Sequence, residues 1–266
     1  MGTMLQAAGL PLGAPPDVWN VENPQAVRAV HAAYAAAGAE ILLTNSLGCN
    51  AIRQKRGRYA IAELVRAGIN NLRAAAPDAV VALDIGPLGE FLEPLGDIAF
   101  EEALTLFSEP ILAGTDADCI LIETMIDIRE AEAAVRAAKQ HGGGLPVLCS
   151  FSLDKRGRLL TGADIPAICA AMESAGADAI GCNCGLGPEQ LLPFIPVFKT
   201  HTRLPLIMKP NAGLPRVENG QTLYDVPPAR FAEAVRALGN AGALLLGGCC
   251  GTTPEHIAAL KNVLSA

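Results

Sequence analysis

Ala243-Leu244-Leu245-Leu246-Gly247-Gly248-Cys249-Cys250-Gly251-Thr252-Thr253-Pro254 joins a short apolar run to a glycine-rich turn with two thiols, and then to a helix start. The run reads as a buried strand, and Pro254 opens a helical pattern. A second strand and turn of the same kind end in Gly181-Cys182-Asn183-Cys184-Gly185. Working outward from these two turns, the same rhythm fills the chain. Strands are expected at 41–43, 80–85, 119–122, 146–151, 177–181, 205–208 and 243–246. Helices are expected from Asn23-Pro24, an N-cap followed by proline at the first position, to Gly38, then over 59–75, within 101–113, over 128–140, 165–174, 188–199 and 228–238, and after 254. Residues 1–16, rich in glycine and proline, read as a loop with one helical turn.

Short apolar strands without polar alternation are covered on both faces, and strict alternation with helices makes a parallel sheet. The fold class is therefore α/β, a (β/α)8 TIM barrel. Seven strands are counted, so the first strand is expected to be missing from this chain. No linker or repeat divides residues 1–266, which read as a single domain.

Composition narrows the function. The 266 residues, 51% hydrophobic and 18% charged, suit one large core. A net charge of -7 and a pI near 5.1 disfavour nucleic acid or an anionic membrane as partner. No apolar run reaches the roughly 18 residues of a membrane span, and no signal peptide opens the sequence, so the expected location is cytoplasmic. Eight cysteines are too sparse for a disulfide scaffold. Cys49, Cys119, Cys149 and Cys169 stand singly, as thiols packed like small hydrophobes do.

Barrels of this class build their sites at the carboxyl ends of the strands. Asn45, Asp84, Glu123, the Cys182 to Cys184 turn, Asn211 and the Cys249-Cys250 pair all fall there. With the last strand as the eighth, the two cysteine turns follow strands six and eight, whose inward side chains share layers of the core. Three thiols on tight turns suit a tetrahedral soft metal, zinc first, with one position open as in catalytic sites. Adjacent Cys249 and Cys250 would make a strained disulfide. Core thiols and a phosphate-gripping turn are the other readings of this pattern, though the phosphate reading lacks a basic partner in the same loop. No G-x-S-x-G elbow, P-loop or H-E-x-x-H appears. The basic cluster Arg53, Lys55, Arg56 and Arg58 reads as solvated surface, with docking of an acidic carrier domain as the alternative.

Gly-Gly-Cys-Cys-Gly-Thr-Thr-Pro-Glu-His-Ile at 247–257, Asn-Cys-Gly-Leu-Gly-Pro at 183–188, Pro-Asn-Ala-Gly-Leu-Pro at 210–215 and Met-Gly-Thr-Met-Leu-Gln at 1–6 resemble the homocysteine S-methyltransferase family. Within it they are most similar to the homocysteine-binding domain of cobalamin-dependent methionine synthase. The resemblance runs in order over the whole chain. It implies zinc held by Cys184, Cys249 and Cys250, with Cys182 a bystander. It also implies substrate contacts from Glu123, which would hold the homocysteine ammonium, and from Asn45, Asn183 and Asn211, the last also able to fill the open metal position. The family has a strand ending in Asp-Gly just before the Met-Gly-Thr motif; Asp84 is the expected replacement for that carboxylate, a catalytic residue beside Glu123.

The implied reaction is methyl transfer to the thiolate of homocysteine, giving methionine. The implied donor is a methyl-corrinoid on a separate corrinoid protein, supplying methylcobalamin. S-methylmethionine or another free methyl compound is the alternative donor, and a non-catalytic zinc or thiol-binding module is the alternative from another class. A free thiol with a pKa near 8.5 is only a few per cent ionised at neutral pH, and a bound zinc ion deprotonates it.

Overall fold

Side-chain parity on the strands decides the architecture. In a computed structural model describing residues 1–265 apart from 56, 215, 219 and 220, Val81, Leu83 and Ile85 of β2 (Val80–Ile85) and Ile120 and Ile122 of β3 (Cys119–Met125) pack outward in the main hydrophobic core. Ala82 of β2, Cys119 and Leu121 of β3 and Ile207 of β6 (Leu206–Lys209) form a separate inner cluster. Leu43 of β1 (Ile41–Leu43), Leu148 of β4 (Val147–Phe151) and Leu245 of β9 (Leu245–Leu246) pack against it. First and last strands share one inner cluster only if the sheet is rolled.

The sheet has seven parallel strands in the order β1-β2-β3-β4-β5-β6-β9, with β5 at Ala179–Asn183. Among the described residues, β1 and β9 have no partner on their outer edges. This is a TIM-type barrel lacking one strand, as the seven apolar runs predict.

Helices return the chain between strands: α1 (Gly2–Ala7), α2 (Trp19–Glu22), α3 (Pro24–Ala36), α4 (Ile61–Ala75), α5 (Phe100–Ala113), α6 (Ile128–His141), α7 (Ile165–Ala175), α8 (Pro188–Leu191), α9 (Phe194–His201), α10 (Pro228–Ala241) and α11 (Pro254–Ser265). Their ends follow local chemistry. Asp127 and Asp164 accept the Glu130 and Ala167 amides at the starts of α6 and α7, at 2.9 and 3.2 Å. Gly176 ends α7 at φ 90°.

Several details differ from the sequence expectation: β6 runs one residue later than 205–208, and β9 keeps only the last two residues of 243–246. β5 starts and ends two residues later than 177–181, because Gly181 lies within the strand rather than at a turn: a Cβ there would meet the Ile207 carbonyl oxygen at 1.8 Å. β3 continues through Glu123 and Thr124 to Met125, with an irregular register after Ile122. The single helix expected over 188–199 is two, α8 and α9, separated at Leu192-Pro193, where proline lacks the amide that would continue the first. An antiparallel pair, β7 (Arg216–Glu218) and β8 (Gln221–Leu223), follows β6. At the start, α1 seats Leu5 in a small core with Leu10, Val27 and Val30. Arg56 and Pro215 lie outside the described residues. Among the described residues no helix is long and apolar enough to cross a membrane.

Candidate active site

Three of the eight cysteines meet at the carboxyl ends of the strands. Cys184 leaves β5 with φ 57°, a left-handed conformation that few non-glycine residues adopt. Its amide donates to the Lys209 carbonyl at 3.2 Å, which carries the β5–β6 ladder into the turn. The turn after β9 is held the same way: the Cys249 amide donates to the Pro210 carbonyl at 2.8 Å, and the Cys250 amide to Asn211 Oδ1 at 3.0 Å. Gly251, at φ 78°, has the Tyr224 ring against its Cα, where a Cβ would come within 2.2 Å.

The Sγ atoms of Cys184, Cys249 and Cys250 lie within 4.8 Å of one another, and Cys184 Sγ is 3.8 Å from Cys250 Sγ. Zinc–sulfur bonds of about 2.3 Å in a tetrahedron place neighbouring sulfurs about 3.8 Å apart. The donor set thus fits zinc without rearrangement of that pair. Hydrogen bonds from Cys184 and then Cys249 hold the Cys250 thiol down to about 3, and the Tyr224 hydroxyl beside it adds to the effect. The same bonds, which Cys184 shares with Cys249 and Cys250, push the Cys184 thiol up, as does burial. Cys182, one residue from Asn183 and so on the opposite face of β5, is fully buried in the outer core.

Parity also turns three charged residues inward. Asp84 extends the Ala82 row of β2, Glu123 the Leu121 row of β3, and Lys209 the Ile207 row of β6. Lys209 Nζ is paired with Glu123 Oε2, both side chains about nine-tenths buried. Asp84 Oδ1 is buried without a hydrogen-bond partner. Burial raises Asp84 well above the usual carboxylate range, and the Glu123 charge raises it further. Burial raises Glu123 as well, against the pull of Lys209. Burial opposes the Lys209 charge, but Glu123, Cys249 and Asp84 overcome it and raise the ammonium above its ordinary value. These groups line one cavity of about 860 Å³ with Asn45, Cys249 and Cys250.

The three asparagines expected at the site act on the protein itself. Asn183 Oδ1 accepts from the Thr124 amide and the Ser150 hydroxyl, both at 2.8 Å, and its Nδ2 donates to Thr124 Oγ1 at 2.7 Å. This holds Thr124 at φ 63°, next to Glu123. Asn45 Nδ2 donates to the Pro16 carbonyl at 2.7 Å and to Asn20 Oδ1 at 3.0 Å. Asn211 secures the Cys250 amide. Sequence reading missed Lys209 and Tyr224. The signal for Lys209 was available, two residues after Ile207 on the inward face of a parallel strand. Of the basic cluster, Lys55 pairs with Glu90 at 3.4 Å and Arg58 with Glu22 at 3.0 Å, both on the surface.

Residues 1–264 match the family model described as homocysteine S-methyltransferase. The chain belongs to the homocysteine S-methyltransferase family. Its similarity to other members falls into two groups. Over 281 residues it is 34% identical to the methionine synthase of Mycobacterium leprae (strain TN), covering 97% of this chain and 23% of that protein. This member of the family thus spans about a quarter of the length of the curated relatives it matches. Among solved structures it is similar to the homocysteine methyltransferase MmuM from Escherichia coli. The oxidized form aligns with a TM-score of 0.83 at 26% identity, and the metallated form with 0.82 at 25%. Each alignment covers 99% of this chain and 93% of that one.

Proposed function

We propose that this chain transfers a methyl group to the sulfur of homocysteine, giving methionine, and that Cys184, Cys249 and Cys250 hold the zinc that the reaction needs. The observation that carries this reading is the cluster of three thiols within 4.8 Å, with a 3.8 Å pair that matches the edge of a zinc–sulfur tetrahedron. When bound, the metal supplies the Lewis acidity that deprotonates a fourth, incoming thiol at neutral pH.

The chain's own residues do the rest. The Cys184 and Cys249-Cys250 turns, both fastened to the backbone at the end of β6, hold the three sulfurs at one mouth of the barrel. Asp84 and Glu123 offer carboxylates to the substrate's ammonium. Asn183, Asn45 and Asn211 support this reading as positioning residues, through the hydrogen bonds described above. The homocysteine sulfur forms the new bond to the methyl carbon, and the donor keeps the electron pair of the bond that breaks. Holding the two reactants near attack distance contributes several kcal/mol, on the order of what orientation supplies elsewhere.

For the donor we propose a methyl-corrinoid carried by a separate protein or domain. Support comes from the relatives, which are methionine synthases about four times as long as this chain. The test is metal analysis together with a methyl-transfer assay. Zinc-loaded chain with homocysteine should make methionine from methylcobalamin at a higher rate than from S-methylmethionine. The reverse preference overturns the donor assignment, and no methionine from either, with zinc bound, overturns the catalytic reading in favour of a binding module.

A further inference from the structure

The carboxylate expected to receive the substrate's ammonium already has a partner. Glu123 is paired with the Lys209 ammonium, with side-chain exposures of only 8% and 10%. Asp84, on the neighbouring strand and facing the same cavity, keeps an oxygen with no hydrogen bond at all. A buried carboxylate oxygen left unpaired is costly, so this trio is one cation short of being satisfied.

An α-amino acid brings that cation, but it also brings a carboxylate that needs a buried donor of its own. Arg53 and Lys261 also line the cavity, but Arg53 Nε is spent on the Pro87 carbonyl and Lys261 on Glu40, both at exposed positions. Among the described residues, Lys209 is the buried lysine or arginine facing the thiols. Its position is close to them by construction. It pairs in register with Asn183, its carbonyl accepts the Cys184 amide, and the next carbonyl, that of Pro210, accepts the Cys249 amide. In homocysteine only three carbons separate the sulfur from the carboxylate, which brings that group within reach of a lysine at the same strand end.

We infer that Lys209 is a specificity-determining residue that reads the α-carboxylate of the amino-acid substrate. The incoming ammonium replaces the Lys209 ammonium on Glu123 and takes Asp84 as a second partner, while the released Lys209 turns to the substrate carboxylate. One internal ion pair is exchanged for three with the substrate. A zwitterion adds no net charge to the buried trio, which selects an intact α-amino acid over a thiol carrying a single charge. This inference rests on the homocysteine reading given above.

The experiment measures the affinity of the zinc-loaded full chain, by calorimetric titration, for L-homocysteine and for aminopropanethiol, which keeps the thiol and ammonium but lacks the carboxylate. Wild type should prefer homocysteine by about tenfold or more. Lys209→Met should bring the two affinities to within about twofold, with aminopropanethiol bound as well as before or better. A preference that survives in Lys209→Met overturns the assignment, and so does tighter homocysteine binding, which would make Lys209 a plug on Glu123. Because Lys209→Met leaves Glu123 buried and unpaired, the Glu123→Gln/Lys209→Met variant repeats the comparison without that unpaired charge, Asp84 being retained. The ratio of the two ligands on one variant is the readout, so a general loss of affinity does not imitate the result. Wild type that binds no homocysteine overturns the homocysteine reading and this inference together, whereas binding with an unchanged ratio overturns only the role of Lys209.

Discussion

Cys184 Sγ and Cys250 Sγ lie 3.8 Å apart although 66 positions separate the two residues in the chain. β5 and β9, which deliver them, are not neighbours. β6 lies between, and two strand spacings of about 4.8 Å would leave the turns nearly 10 Å apart. The ladder bonds continue into both turns, to the Lys209 carbonyl on one side and that of Pro210 on the other, so the backbones keep their spacing and the two side chains meet across the end of β6.

Zinc content gives the first prediction. The chain should bind one zinc ion per molecule, and Cys184→Ser, Cys249→Ser and Cys250→Ser should each weaken binding by roughly two orders of magnitude, about a quarter of a four-ligand site's free energy. Cys182→Ala, on the opposite face of β5, should keep full zinc stoichiometry and lose only stability. Competition with a chromogenic chelator measures all four variants, and loss of the metal in Cys182→Ala would contradict the ligand set.

Gly251 gives a prediction about backbone geometry. Gly251→Ala must accommodate a Cβ at φ 78° and 2.2 Å from the Tyr224 ring, so it should cost about 2 to 4 kcal/mol of unfolding free energy. Adding Tyr224→Gly, which removes the ring and also the Tyr224 Cβ at 2.5 Å, should relieve the collision and leave about 1 kcal/mol from the left-handed backbone, beyond the cost of Tyr224→Gly alone. Urea denaturation of the double-mutant cycle measures the coupling; additive costs would show that the ring is not the obstacle.

Asn183 is the polar hub under the site. Asn183→Leu removes the acceptor for the Thr124 amide and the Ser150 hydroxyl at once, leaving two buried donors unpaired, and should cost about 2 to 4 kcal/mol. Chemical denaturation at constant zinc concentration is the measurement. A cost below about 1 kcal/mol would mean that water replaces both bonds.

Glu130 makes stability depend on pH. Its carboxyl accepts the Leu88 amide at 2.7 Å, and burial raises it from an ordinary 4.5 to about 7. Between those values the unfolded chain has released this proton while the folded chain still holds it, so stability falls as pH rises through the window. The loss approaches about 3 kcal/mol above pH 7. Glu130→Gln keeps an acceptor for Leu88 and should flatten this dependence, raising the melting temperature at pH 8 relative to wild type while changing little at pH 4.5. An equal pH dependence in the two proteins would remove Glu130 as its source.

The legible parts of this chain were those in which one residue type has one physical use. Seven apolar runs between helical patterns could be little other than parallel strands, and the Gly-Cys-Cys-Gly turn announced its thiols. Gly181 misled because glycine serves turns and close strand approach equally, and only the Ile207 carbonyl at its Cα shows which. Lys209 was missed because the strand was expected to end at 208, one residue short, so its shared parity with Ile207 went unread. Thr124 and Cys184, both at positive φ, follow no propensity. Their conformations come from partners 59 and 25 residues away, Asn183 and Lys209.

A closed barrel has hoop continuity, each strand braced on both sides, and this sheet does not. Its last strand, β9, is two residues long and, among the described residues, is hydrogen-bonded to β6 alone, through flanking amides such as those of Leu244 and Gly247. Such an edge is the first part of a fold to breathe. The three thiols span that edge, tying the end of β9 over β6 to the end of β5. A metal held there acts as a clasp on the unclosed rim, so loading it should slow amide exchange over 243–247 before it changes anything in β2 or β3.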